Sequence, residues 1–162
     1  MKTARRIVST FIVAAGALAS VPLALGQAGT TVNDGDWPNI HGEISSQRYS
    51  PLDQINADNV ADLEIAWRFS TKGFGRVTDY VNPSTPIEIE GILYANVGIT
   101  RNVVALDATS GQVLWMFRYH EGDRFDEAPR KGSGRGVSFW TDGDAERIID
   151  VSPGYQLVSL DA

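Results

Sequence analysis

Residues 103–115 read Val103-Val-Ala-Leu-Asp-Ala-Thr-Ser-Gly-Gln-Val-Leu-Trp115, and the chain's last six residues, Leu157-Val-Ser-Leu-Asp-Ala162, return to the same opening. The first half is an apolar, β-branched run, which is strand composition. Asp107 to Gly111 is turn chemistry. The aspartate accepts bonds from the N–H groups of the turn, and glycine takes the positive φ that closes it. A second strand follows and carries Trp115. A strand–turn–strand unit that occurs once is a hairpin. One that recurs tens of residues later points to a repeat architecture.

Upstream of this unit, residues 86–90 and 92–97 are two further strands joined through Gly91, and residues 98–102 turn the chain into Val103. Together with residues 103–106 and 112–119 they predict one four-stranded antiparallel sheet over 87–119. Downstream, residues 120–134 form a charged loop containing proline and glycine, and then the pattern restarts. Residues 136–140, 147–151 and 156–160 read as strands, separated by turns at 141–144 and at Pro153-Gly154. The turn glycine and tryptophan that complete the first copy do not follow Ala162. Residues 29–162 are therefore expected to be the N-terminal part of a longer repeat protein, truncated within a repeat.

The earlier part of the chain is less regular. Residues 30–50 are polar, with Trp37 large enough to anchor them on a core. His41 beside Gly42 reads as a surface loop residue. Residues 55–60 predict one helical turn, with Asn56 as N-cap and Ile55 and Val60 as a hydrophobic staple. Leu63, Ile65, Trp67 and Phe69 alternate, which predicts a half-buried strand over 63–70. Residues 72–76 make a flexible break.

Composition narrows the classes. The chain has 162 residues and no cysteine, which excludes a disulfide framework and a thiolate metal site. Its net charge of −6 argues against a nucleic-acid surface. Residues 1–28 begin with Lys2, Arg5 and Arg6, continue through an apolar run broken at Pro22, and end in small-residue cleavage sites near Gly26 and Ala28. This is the pattern of a secretory signal peptide. Uncleaved, the same run is near spanning length and would tether the chain to a membrane. Cleavage after residue 28 removes three basic and no acidic side chains, taking the charge from −6 to −9. An acidic, cysteine-free exported protein suits a bacterial periplasm.

Repeated four-stranded antiparallel sheets are the blades of a β-propeller. A blade needs neighbours to cover both its faces. An indole on the outer strand can stack on the next blade's turn, so turn and tryptophan pair blade to blade. Trp67 then belongs to the outer strand of an incomplete blade. A two-sheet sandwich is the alternative, but it gives no reason for the recurring Leu-Asp-Ala.

Several stretches resemble the pyrroloquinoline-quinone (PQQ) dehydrogenases. They are Ala105-Leu-Asp-Ala-Thr-Ser-Gly-Gln-Val-Leu-Trp115, which looks like that family's tryptophan-docking motif; Asp36-Trp-Pro38; Gln47-Arg-Tyr-Ser-Pro-Leu-Asp-Gln-Ile-Asn-Ala-Asp-Asn-Val60; Leu63-Glu-Ile-Ala-Trp67; Thr85-Pro86 with Gly91-Ile-Leu-Tyr94; and Arg135-Gly-Val-Ser-Phe-Trp140. The resemblance covers nearly all of residues 29–162, in the family's order. It implies part of an eight-bladed, all-β periplasmic propeller that holds PQQ and usually Ca²⁺ near its axis. Such a protein oxidises an alcohol or sugar and passes electrons to a quinone or cytochrome.

Carried over by position, Arg135 matches the family arginine that hydrogen-bonds PQQ. A guanidinium fork suits the carboxylate and quinone oxygens of that planar tricarboxylate. Lys131 is a second cofactor-facing candidate, and Asn82 and Ser84 stand where many alcohol dehydrogenases of the family carry a glutamate. The adjacent cysteines that such alcohol dehydrogenases place before the arginine are missing, which leans toward sugar or polyol substrates. The resemblance puts the calcium ligands and the catalytic aspartate in later blades, so residues 29–162 alone are expected to be inactive. The competing reading is a non-catalytic periplasmic propeller, a scaffold or assembly factor that uses the same repeats for structure only.

Overall fold

The computed structural model describes residues 35–75, 77, 79 and 81–162, so the proposed signal peptide at 1–28 lies outside the described residues. The expectation of an all-β chain holds. Strands β1 (Ile87–Ile89), β2 (Ile92–Val97), β3 (Asn102–Asp107) and β4 (Val113–Phe117) form one antiparallel sheet in the order β1-β2-β3-β4. Strands β5 (Ser138–Thr141), β6 (Glu146–Val151) and β7 (Leu157–Asp161) form a second, in the order β5-β6-β7. Each is a meander, with sequential strands paired as neighbours.

β3 explains how the two sheets are arranged. Its side chains alternate, as a strand's must. Val103 and Ala105 enter one core with Ile87, Ile89 and Tyr94 of the first sheet, Tyr119, Val137, and Ile148 of the second. Val104 and Leu106 enter another with Ala95 and Val97, against which Trp67, Phe69, Phe74 and Met116 pack. The first sheet is therefore covered on both faces. This is why Val103-Val-Ala-Leu106 is apolar without interruption. The second sheet turns Ile148, Phe139, Val158 and Leu160 inward to the shared core. Its other face leaves Leu157 72% exposed.

The β3–β4 turn forms as its residues dictate. Asp107 accepts from the Ser110 N–H and hydroxyl, both at 2.7 Å, and Gly111 donates to the Asp107 carbonyl at 2.8 Å with φ +72°. The hydrogen bonds from Ser110 hold the Asp107 carboxyl below the usual carboxylate range. The Trp67 indole lies on this turn and donates to the Ala108 carbonyl at 3.0 Å. A Cβ on Gly111 would stand 2.6 Å from the Trp67 ring. Trp115 packs instead against Tyr94, with ring centroids 5.9 Å apart, and on the core between the sheets.

Three local expectations are corrected. Residues 63–70 are not a strand. Among the described residues no neighbouring strand pairs with them, and a strand requires one. Trp67 and Phe69 still face the sheet, while Leu63 and Ile65 stay 58% and 64% exposed. At 55–60 the expected staple does not form. Asn56 caps one helical turn, accepting the Asp58 N–H on its side chain at 2.9 Å and the Val60 N–H on its carbonyl at 3.0 Å, and a 3₁₀ turn follows at Val60–Asp62, but Ile55 and Val60 remain exposed. The 120–134 loop contains a short helix, α1 (Asp123–Asp126), with Gly122 as its N-cap.

Trp37 does anchor its segment. Its backbone bridges Glu88 in both directions, at 2.7 and 3.0 Å, and extends the β1 edge. No helix among the described residues is long and apolar enough to cross a membrane.

Candidate functional site

The loop from α1 to β5 crosses the end of both sheets and walls a cleft of about 450 Å³. The cleft is lined by Arg101 from the β2–β3 turn, Arg130, Lys131 and Arg135 from the loop, and Asp79 and Asp150. Four cations to two carboxylates make it a place for an anion.

The loop is held by its backbone. Gly132 donates to the Ile99 carbonyl at 3.0 Å, Ser133 to the Asp79 carboxylate at 3.0 Å, and Thr85 donates to the Arg135 carbonyl at 3.2 Å. The Arg135 side chain is exposed and makes no hydrogen bond or ion pair with another described residue. It is available to a ligand. The Ser133 hydroxyl is buried without a hydrogen-bond partner among the described residues. Buried polar groups normally find one.

Asp150 sits in the cleft wall, buried, and accepts the Tyr119 hydroxyl at 2.9 Å. Burial pushes its carboxyl above the ordinary range, and the same burial, with Asp150 beside it, pushes the Tyr119 phenol up. Behind the pair, Glu121 accepts from Gly154 N–H at 3.0 Å and from the Ser152 hydroxyl, fixing the β6–β7 turn.

The four residues singled out from sequence are placed differently. Arg135 and Lys131 both line the cleft. The Lys131 ammonium, however, donates to the Asp126 carbonyl at 3.0 Å and lies 5.0 Å from the Phe125 ring centroid, so it is partly engaged by α1. Asn82 and Ser84 do not line the cleft, although their neighbours Val81 and Pro83 do. Asn82 accepts from the Ser84 N–H at 3.1 Å, and the Ser84 hydroxyl accepts from Asn96 N–H at 3.4 Å. Sequence reasoning missed Arg101, Arg130, Asp79 and Asp150. Only Arg130, in the same charged loop as Arg135, carried a local signal.

Residues 37–162 match the family described as PQQ glucose/ethanol/alcohol dehydrogenase, β-propeller domain. The chain belongs to this family. Among its PQQ-dehydrogenase relatives is the dehydrogenase subunit of a quinone alcohol dehydrogenase from Gluconobacter oxydans, 33% identical over 132 residues, which are 75% of this chain and 17% of the relative. The quinoprotein glucose dehydrogenase of Escherichia coli is 38% identical over 116 residues, 70% of this chain and 14% of the relative. The crystal structure of the quinohemoprotein alcohol dehydrogenase from Comamonas testosteroni superposes with a TM-score of 0.60 at 32% identity, over 78% of this chain and 18% of that one. The chain thus spans less than a fifth of the length of these PQQ dehydrogenases. Its two sheets are blades of a partial propeller.

PQQ fits what the cleft offers. The cofactor's carboxylates call for cations, which four side chains supply. Calcium has no such match. Among the described residues no group of three or more His, Cys, Asp or Glu is placed to hold a metal ion.

Proposed function

We propose that this chain supplies the first blades and the Arg135 loop of a periplasmic PQQ-dependent oxidoreductase. It acts on CH–OH groups of sugars or polyols, within the wider alcohol class, and passes electrons to a quinone or cytochrome. The observation that carries this reading is the convergence of Arg101, Arg130, Lys131 and Arg135 on one cleft in a member of a PQQ family.

When bound, PQQ supplies the two-electron acceptor for the substrate's hydride equivalent. The chain's own residues bind and orient. Arg135 offers a planar fork to a carboxylate or quinone oxygen. Asp79 and Thr85 fix the backbone that presents it. The buried Ser133 hydroxyl is a spare donor in the cleft wall. No described cleft residue is free to act as base on a substrate hydroxyl. Asp79 receives the Ser133 and Val81 N–H groups, and Asp150 is tied to Tyr119. Residues 29–162 alone are expected to be inactive. In the larger protein the Trp67 indole on the Asp107–Gly111 turn serves as the latch between successive blades.

The test is dye-linked oxidation of glucose, glycerol and ethanol after incubation with PQQ and Ca²⁺. It compares the protein in the length its gene encodes with isolated residues 29–162. Turnover by the former, faster on glucose or glycerol than on ethanol, and none by the latter is expected. Dye reduction by residues 29–162, or by neither protein, contradicts the proposal. Amino-terminal sequencing of the exported protein is expected to begin just after Gly26 or Ala28.

A further inference from the structure

We infer that Arg101 is a positioning residue that sets where Arg135 stands in the cleft. The functional half of this inference rests on the PQQ reading above.

Arg101 closes the β2–β3 turn by donating its N–H to the Gly98 carbonyl at 3.1 Å, with φ +58°. An L side chain seldom adopts this left-handed conformation. Here it sends the guanidinium away from the first sheet and across the cleft wall. Nε donates to the Gly132 carbonyl at 3.2 Å, and Nη1 donates to the Val151 carbonyl on β6 at 2.7 Å. One planar group therefore ties together a turn of the first sheet, the cofactor loop and a strand of the second sheet.

The loop is shaped to receive it. Gly134, immediately before Arg135, lies on the guanidinium with φ +76°, and a Cβ there would stand 2.7 Å from Nε. Glycine is required at this position by both the backbone angle and the close approach. The Gly132 N–H, bonded to the Ile99 carbonyl at 3.0 Å, holds the loop to the same turn. Thus the backbone on the N-terminal side of Arg135 is referenced to Arg101, and Arg101 to both sheets. A lysine keeps the charge but lacks a fork with two donors in fixed directions.

The test uses the protein in the length its gene encodes, with PQQ itself as the probe. Two quantities are measured: hydrogen exchange of the cofactor-free protein over residues 130–136, and the PQQ dissociation constant. Arg101→Met is expected to raise exchange in the loop and weaken PQQ by about ten-fold or more, the size of a lost charge-assisted bond. Exchange over β2 and β3 should not change. Arg101→Lys is expected to loosen the loop and weaken PQQ although the charge remains. Gly134→Ala keeps the arginine and displaces the loop, so it weakens PQQ too, and these two variants carry the test if Arg101→Met does not fold.

Unaltered loop exchange in the Arg101 variants overturns the inference. So does full recovery of PQQ affinity by Arg101→Lys, which would reduce the role of Arg101 to its charge. A loosened loop with wild-type PQQ affinity overturns it as well. If the unmutated protein binds no PQQ, the cofactor reading falls and takes the functional half of the inference with it.

Discussion

The two sheets have similar strand sequences and different surroundings. The first is enclosed. Trp67, Phe69 and Phe74 cover one face, and the second sheet covers the other. The second shares that inner core and has an outer face where Leu157 is exposed. Blades carry little of their stability alone, because each face needs a neighbour. The same kind of apolar residue is therefore expected to matter on every covered face, including the inner face of the second sheet, and hardly at all on that sheet's outer face.

The largest effect is expected in the shared core. Ile87 and Ile148 are both fully buried there, one from each sheet. Ile87→Ala or Ile148→Ala should cost about 2–5 kcal/mol by the usual transfer and cavity terms, read from urea unfolding. A cost near zero at Ile148 with a large one at Ile87 would show that the sheets do not pack as one body.

Next comes the covered outer face of the first sheet. Trp67→Ala removes the indole from the turn and should cost about 2–3 kcal/mol, somewhat less than for a fully buried tryptophan. Gly111→Ala drives a Cβ toward the same ring. In the Trp67→Ala background that clash disappears and only the backbone strain at φ +72° remains. The double variant should therefore be less destabilised than the two single changes added together. Simple additivity would deny the contact its role.

The sheets also differ in the sign of their pH dependence. Asp107, in the first sheet's turn, has its carboxyl pKa lowered from 3.8 by the Ser110 hydrogen bonds. Its contribution is present above the ordinary carboxylate pKa and is lost as pH falls through the lowered value. Asp150, in the second sheet, has its pKa raised from 3.8 by burial. Below that value both folded and unfolded states hold the proton. As pH rises, the unfolded state releases it first, so stability declines until the folded pKa is passed. Asp150→Asn should therefore gain on the unmutated protein as pH is raised above about 4, and Asp107→Asn should lose on it as pH rises to about 4 and keep that deficit, unchanged, above it. Parallel pH profiles for the two variants would contradict these environments.

The smallest effect is at Leu157, where truncation to alanine should stay within about 0.5 kcal/mol.

Much of this organisation was legible in the chain. The run Val103-Val-Ala-Leu106 is apolar at consecutive positions, which marks a strand covered on both sides, and both sheets follow from the turn residues between apolar runs. Leu63 to Phe69 misled because alternation reports which side chains face a sheet and does not supply a partner for the backbone. Trp67 and Phe69 obey the pattern without a strand forming.

At the site, Arg135 and Lys131 were reachable through local motif and spacing. Arg101 and Asp150 were not, because their relevance comes from tertiary contact. Arg101 meets Gly132 and Val151, far along the chain, and Asp150 meets Tyr119 across the sheets. Asn82 and Ser84 lie close to the cleft in sequence but direct their polar atoms into local backbone bonds.

The most direct measurement is a calorimetric titration of PQQ into the protein in the length its gene encodes, with and without Arg135→Met. Saturable binding by the unmutated protein is expected, weakened by about ten-fold or more in the variant, since the exposed guanidinium has no other partner among the described residues. Equal affinity in the two proteins, or no binding by either, would contradict the assignment of this cleft to the cofactor.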